Sequence, residues 1–171
     1  PDLFFFFFLV PKLVLAKAPP QAPRQNAVAS GHFLATQAGH KILAEGGNAF
    51  DAAIAVSATL SVVEPISSGI GGGGLFLLRQ AGTGRDVMID ARETAPHSAT
   101  PDKFLDAGGQ LDRDKSVNGP LSAGIPGLPA ALVHLARNYG RLPLKQSLAP
   151  AIGIARHGFE IYPRLETGYS Q

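Results

Sequence analysis

The pattern of apolar positions predicts two consecutive helices near the start of the chain. In the first, over residues 35–45, the small and apolar residues recur at helical spacing on one face, namely Ala35, Ala38, Gly39 and Ile42. Gly46 and Gly47 should end this helix, because glycine takes the left-handed conformation of a helix C-terminus at little cost. The second helix, Ala49–Val63, is apolar on nearly every side, which predicts burial on all faces. Asn48 and Asp51 have the spacing of a capping box at its start.

Between residues 68 and 96 the helical period gives way to strand-like runs. The apolar segments GLFLLRQ and RDVMIDA flank a turn at residues 81–84, and predict an antiparallel hairpin that is apolar on both faces, central in a sheet and covered by helices. Residues 26–31 predict a further strand. The glycines at 71–74 follow a helix and lead into a strand, which is the wrong context for a phosphate-binding loop. Close approach of another backbone or of a substrate is therefore favoured.

The C-terminal half predicts loops followed by a helical hairpin. Residues 100–105 should form a short helical turn with proline at its first position, and residues 107–119 are polar and glycine-rich, which predicts a loop. A helix that begins at Pro126 or Pro129 and runs to Tyr139 should bury Leu132, Leu135 and Ala136. A second helix, over residues 143–157, should bury Leu144, Leu148, Ile152 and Ala155. With a short connection at residues 141–142, the two helices predict a helical hairpin against the sheet.

Composition narrows the class of protein. A chain of 171 residues with 45% hydrophobic and 16% charged residues is typical of one globular domain. The net charge is only +2 and the basic residues are scattered, which argues against a nucleic-acid surface. The absence of cysteine excludes disulfides and thiolate metal sites. The five histidines have no metal-ligand spacing, and no GxSxG motif marks a serine nucleophile.

Residues 1–25 predict a signal-peptide remnant and a proline-rich leader. Apolar runs at 3–10 and 13–16 precede an Ala-Lys-Ala triplet at 16–18 that resembles a signal-peptidase site, and the first run is too short to span a bilayer. This pattern predicts export to the periplasm or the exterior, and a cloning or gene-calling artefact is the alternative. A start at Pro1 suggests that the true start lies upstream. Residues 26–171 then form the folded part of this chain.

Arg92 stands where the second predicted strand should end. Strand ends and the loops that follow them often carry binding residues, and a planar guanidinium suits a carboxylate ligand. A surface arginine paired with Asp90 or Glu93 is the ordinary alternative. From position alone, both interpretations remain open.

From residue 26 to residue 163 the chain resembles the gamma-glutamyltranspeptidases (glutathione hydrolases). The resemblance is carried by ATQAGHKILAEGGNAFDAAIA, EPISSGIGGGG, DARETAP, GIPG and YGRLPLKQSLAPAIGIARHGF, in that order. It implies the α/β architecture of an N-terminal-nucleophile hydrolase, an αββα four-layer sandwich that is only partly represented in this chain. It also implies a precursor that cuts itself into a large and a small subunit, with residues 26–171 as the truncated N-terminal portion of the large-subunit catalytic domain.

The resemblance further implies an enzyme that transfers the γ-glutamyl group of glutathione and other γ-glutamyl compounds to water, amino acids or dipeptides. Arg92 is then the residue that binds the α-carboxylate of that group, and Glu93 orients it. The nucleophilic threonine and the oxyanion hole are expected in the small subunit, outside this chain, so no threonine here is assigned and the chain alone should be inactive. No cofactor, metal or nucleic acid is expected.

Two other readings of the sequence are open. A cephalosporin or glutaryl acylase of the same superfamily would share this large-subunit pattern. A non-catalytic domain from a truncated gene would need to fold alone, which is disfavoured because a hairpin separated from the rest of its sheet exposes apolar edges.

Overall fold

The computed structural model describes residues 26–169, so the predicted leader at 1–25 lies outside the described residues. The elements in chain order are α1 (Phe33–Ala44), α2 (Ala49–Val63), β1 (Gly74–Gln80), β2 (Arg85–Ala91), α3 (Arg113–Val117), α4 (Leu128–Asn138), α5 (Leu144–His157) and α6 (Pro163–Tyr169), with a 3-10 turn at Pro120–Ser122. Within this range no helix has the length and apolarity needed to cross a membrane.

The two predicted N-terminal helices are confirmed. Helix α1 buries the face that its periodicity selects, and Gly46 follows it with φ at 92°. The capping box of α2 is present, since the Asn48 N–H donates to Asp51 Oδ2 at 2.9 Å and Asn48 Oδ1 accepts from the Phe50 and Asp51 N–H groups. After Ala49, every residue of α2 is buried or half-buried, as its all-round apolarity predicts.

Asp51 also ties the start of α2 to the turn between α4 and α5. Its side chain is fully buried, and it accepts the Arg141 N–H at 3.0 Å and the Leu142 N–H at 3.4 Å. Asn48 adds a bond from Nδ2 to the Tyr139 carbonyl oxygen at 2.7 Å. One capping box therefore holds two segments that lie about ninety positions apart in the sequence.

The hairpin is antiparallel, with Gly74 opposite Ala91 and Gln80 opposite Arg85. Its inner face meets the helices in one core, which contains Ile54, Ala58, Leu78, Leu128, Leu132, Leu135 and Ala151. The predicted cover on both faces is wrong for the described residues, because Leu75, Leu77 and Met88 on the other face are 61%, 74% and 60% exposed. Helices α2 and α4 cover one face only, so the described chain forms one helical layer on one sheet.

Helix α5 packs mainly on α2 rather than on the sheet. Its buried residues are Ser147 and Ala151, whereas Ile152 is 41% exposed and Ala155 is also exposed. The predicted inner face is confirmed at Leu144 and Leu148, which are half-buried against the core, and is wrong at Ile152 and Ala155, because the helix is rotated toward Ser147. The small side chains of α2 explain this, because they allow a close approach that serine and alanine fit better than isoleucine.

Two other local predictions are corrected, and a third is confirmed. Residues 26–31 form no strand, since no strand among the described residues pairs with them, and Val28 instead packs on Gly39 of α1. Residues 107–119 contain α3, which begins because Asp112 Oδ1 accepts the Asp114 and Lys115 N–H groups at 3.0 and 3.1 Å. Residues 100–105 form the predicted short turn, in which the Lys103 N–H donates to the Thr100 carbonyl oxygen at 3.2 Å and the Leu105 N–H to the Asp102 carbonyl oxygen at 2.9 Å.

Candidate functional site

Arg92 follows the last residue of β2, as the sequence predicts. Its backbone N–H donates to Asp90 Oδ1 at 2.9 Å, and its Nε donates to Glu93 Oε2 at 3.2 Å. The side chain is 69% exposed. Within the part of the chain that the structure describes, the two Nη groups make no hydrogen bond. A guanidinium with one edge fixed and the other open can accept a carboxylate through two parallel hydrogen bonds.

Glu93 is the partner that holds the fixed edge. The pKa of its carboxyl is lowered from the ordinary 4.5, first by its own backbone N–H and then by Arg92 and the Gly73 N–H, against a smaller opposing effect of desolvation. The carboxylate therefore stays ionised at neutral pH and keeps its pairing with Arg92. Because Glu93 is itself exposed, this pair orients the guanidinium rather than stabilising the fold.

The glycine segment at 71–74 packs against the backbone of the arginine. A Cβ atom on Gly73 would lie 2.8 Å from Arg92 Cα and 3.0 Å from Glu93 N, and it would also collide with the Ala91 carbonyl oxygen. No residue with a side chain fits there without displacing that backbone. The predicted close approach of another backbone is confirmed at Gly73, whereas a Cβ on Gly71 or Gly74 would meet nothing within 4 Å.

A second glycine segment, GIPG at 124–127, closes on the same backbone from another direction. A Cβ on Gly127 would lie 2.7 Å from the Arg92 carbonyl oxygen, and one on Gly124 would lie 3.0 Å from Glu93 Cβ. Thr94 and Ile125 form an antiparallel bridge with bonds of 3.2 and 2.8 Å. Sequence reasoning noted this motif but missed its role, because the contact joins segments about thirty positions apart.

The two glycine segments are also joined to each other. The Leu128 N–H, at the start of α4, donates to the Gly72 carbonyl oxygen at 3.1 Å. A cleft of about 510 Å³ opens on the Glu93 side, between α2, residues 65–74 and Leu128. The backbone at 91–94 is thus held on two sides, while the guanidinium extends into solvent. Within residues 26–169, no group of three His, Asp or Glu side chains could hold a metal ion.

Comparison with known proteins identifies relatives over most of this chain. A family model described as Gamma-glutamyltranspeptidase matches residues 35–171. The glutathione hydrolase proenzyme of Escherichia coli (strain K12) is 44% identical to this chain over 140 residues, and that of Bacillus subtilis (strain 168) is 38% identical over 162 residues. The Acylase ACY 1 proenzyme of Pseudomonas sp. (strain V22) is 41% identical over 152 residues. These matches cover 82%, 89% and 85% of this chain but 24%, 28% and 27% of the relatives, so the chain spans about a quarter of their length.

Solved structures agree with the sequence matches. Helicobacter pylori gamma-glutamyltranspeptidase has a TM-score of 0.80 at 41% identity, over 87% of this chain and 43% of that one. The enzyme from Pseudomonas nitroreducens, complexed with L-DON, has a TM-score of 0.81 at 34% identity, over 87% and 44%. The helical layer and hairpin described above are thus part of an N-terminal-nucleophile hydrolase fold. The chain belongs to the gamma-glutamyltranspeptidase family.

Proposed function

We propose that Arg92 binds the α-carboxylate of a γ-glutamyl group in a glutathione hydrolase of which this chain is the N-terminal part of the large subunit. The observation that carries the proposal is the open edge of its guanidinium, with Nε held by Glu93 at 3.2 Å. The two glycine segments that pack on residues 91–94 fix the backbone from which this guanidinium projects.

The role of this chain in the reaction is to position the substrate. Two hydrogen bonds from Arg92 to the α-carboxylate would fix one end of the glutamyl group, so that its γ-carbonyl meets the nucleophile in one orientation. The nucleophile is a threonine at the N-terminus of a small subunit from the same precursor. Acyl transfer then passes the γ-glutamyl group to water, an amino acid or a dipeptide.

The apolar outer face of the hairpin supports a larger assembled domain. Leu75, Leu77 and Met88 lie side by side on two strands and are more than half exposed. In the αββα sandwich this is the face on which the second sheet packs. We assign residues 26–171 to the large-subunit domain and residues 1–25 to an export leader, which places the enzyme in the periplasm or the exterior.

An acylase is the second candidate, because the Pseudomonas acylase is 41% identical to this chain, close to the 44% of the Escherichia coli glutathione hydrolase. A glutaryl group carries a terminal carboxylate but no α-ammonium group. Arg92 could bind that carboxylate equally well, so the residues of this site do not separate the two activities. The two activities would be separated by comparing γ-glutamyl-p-nitroanilide with glutaryl-p-nitroanilide as substrates of the enzyme that matures from the full-length precursor.

The test of the proposed role is Arg92→Lys and Arg92→Ala in the full-length precursor. Losing a paired hydrogen bond between charged groups should raise KM for γ-glutamyl-p-nitroanilide about 10- to 100-fold. Arg79→Ala is the matched control, because Arg79 is 67% exposed and pairs with Asp86 at 3.0 Å on the same hairpin. An unchanged KM in both Arg92 variants would contradict the proposal.

A further inference from the structure

A buried carboxylate lies outside the site described above. Glu64, the C-cap of α2, is only 4% exposed. Its Oε2 accepts a hydrogen bond from the Ser67 hydroxyl at 3.1 Å, and its carbonyl oxygen accepts the Ser67 and Ser68 N–H groups at 3.1 and 2.8 Å. Side chain and backbone together fix the turn that leaves the helix.

The surroundings of Glu64 favour the charged form. The pKa of its carboxyl is lowered, first by the Tyr162 hydroxyl and then by Ser67, Arg164 and His32, while burial opposes them. The Tyr162 hydroxyl lies 2.8 Å from the Val63 carbonyl oxygen and within reach of the Glu64 carboxylate, so its one proton can be donated to either acceptor. Buried carboxylates persist where such partners offset desolvation.

The segment that follows Glu64 ends at Gly73, which packs against the backbone of Arg92. Residues 69, 71, 72 and 73 are glycines, and residues 65–67 and 69–71 are exposed. Glycine loses more backbone freedom on ordering than other residues, so such a segment depends on its anchors. Its other backbone anchors are a bond from the Gly72 N–H to the Gly69 carbonyl oxygen at 3.3 Å and one from the Leu128 N–H to the Gly72 carbonyl oxygen at 3.1 Å.

We propose that Glu64 is a positioning residue for Arg92, an inference that rests on the proposed function. Its carboxylate fixes the turn at 64–68, and this turn sets the course of the glycine segment. That segment ends at Gly73, which packs on Arg92 Cα and whose N–H faces the Glu93 carboxylate. Glu64 thus acts on the guanidinium through the backbone and does not contact substrate.

The test uses Glu64→Gln and the milder Ser67→Ala in the full-length precursor, with Glu160→Gln as a control at an exposed acid. For Glu64→Gln we expect KM for γ-glutamyl-p-nitroanilide to rise about 5- to 10-fold, with kcat changed less than about 2-fold. Combined with Arg92→Lys, the effects should be less than additive. Hydrogen exchange should increase in peptides covering residues 69–76 and 91–94, and Glu160→Gln should change neither quantity.

The possible outcomes distinguish the two proposals. A loss in kcat with unchanged KM, or full additivity with Arg92→Lys, overturns the positioning role. If Glu64→Gln does not fold, Ser67→Ala decides, because it removes one hydrogen bond at an exposed position. If the wild-type enzyme does not cleave the anilide, the proposed function fails. Hydrogen exchange in Glu64→Gln then tests by itself whether Glu64 anchors the segment. Unchanged exchange at residues 91–94 overturns that anchoring.

Discussion

Replacing Asp51 should destabilise this fold more than replacing any exposed acid. The Asp51 carboxylate is fully buried and accepts N–H groups from Asn48, Arg141 and Leu142. Asp51→Ala removes all three hydrogen bonds and leaves the N–H groups of the α4–α5 turn without their carboxylate partner. The same change removes half of the capping box of α2.

The magnitude follows from those contacts. Two of the three hydrogen bonds are short, at 2.9 and 3.0 Å, and the third is long at 3.4 Å. A hydrogen bond to a charged group contributes about 1.5–3 kcal/mol. Counting the two short bonds gives a loss of about 3–6 kcal/mol in the free energy of unfolding. That is a large fraction of the stability of an ordinary domain.

Urea denaturation of the purified protein, followed by circular dichroism, would measure this loss. Asp86→Ala is the matched control, because Asp86 is exposed and its one side-chain partner among residues 26–169 is Arg79, so the change should cost about 0.5 kcal/mol or less. If Asp51→Ala lowered the unfolding free energy by less than about 1 kcal/mol, this account of the α2 cap would be refuted.

Three further predictions concern the site and the hairpin. Gly73→Ala should push the backbone of the neighbouring arginine outward and raise KM at least about 10-fold, whereas Gly82→Ala, with open space around it, should not. Because the pKa of Glu93 is lowered on folding, its pairing is complete above its ordinary 4.5 and is lost as pH falls through the folded value. A pH profile of KM should therefore rise on that acid side, and Glu93→Gln should remove the rise. Leu77→Lys should prevent maturation of the precursor, because it places a charge on the face on which the second sheet should pack. Leu111→Lys, at a similarly exposed leucine, should mature normally. Equal yields of mature enzyme would contradict packing of a second sheet on this face.

Elements marked by local signals could be predicted from the sequence. The capping pair Asn48 and Asp51, and Gly46 after α1, bounded the first two helices because caps act within a few residues. The hairpin followed from two apolar runs around a glycine turn. Arg92 was placed at the strand end for the same local reason.

Features that depend on distant partners could not be predicted. The inner face of α5 depends on how closely α2 approaches, so Ser147 is buried where Ile152 was expected. Exposure of Leu77 depends on what covers the hairpin. The packing of two glycine segments on the backbone of Arg92 requires Gly127 to contact the Ala91 carbonyl group, and no local sequence pattern indicates that contact.

The central claim is that Arg92 binds the α-carboxylate. Its most direct test compares two substrates of the mature wild-type and Arg92→Ala enzymes. γ-Glutamyl-p-nitroanilide carries the α-carboxylate, and 4-aminobutyryl-p-nitroanilide lacks it but is otherwise matched. If Arg92 binds that carboxylate, the wild-type enzyme should prefer the first substrate by about 10- to 100-fold in kcat/KM, and Arg92→Ala should abolish most of the preference. An equal preference in both proteins would show that another group recognises the carboxylate.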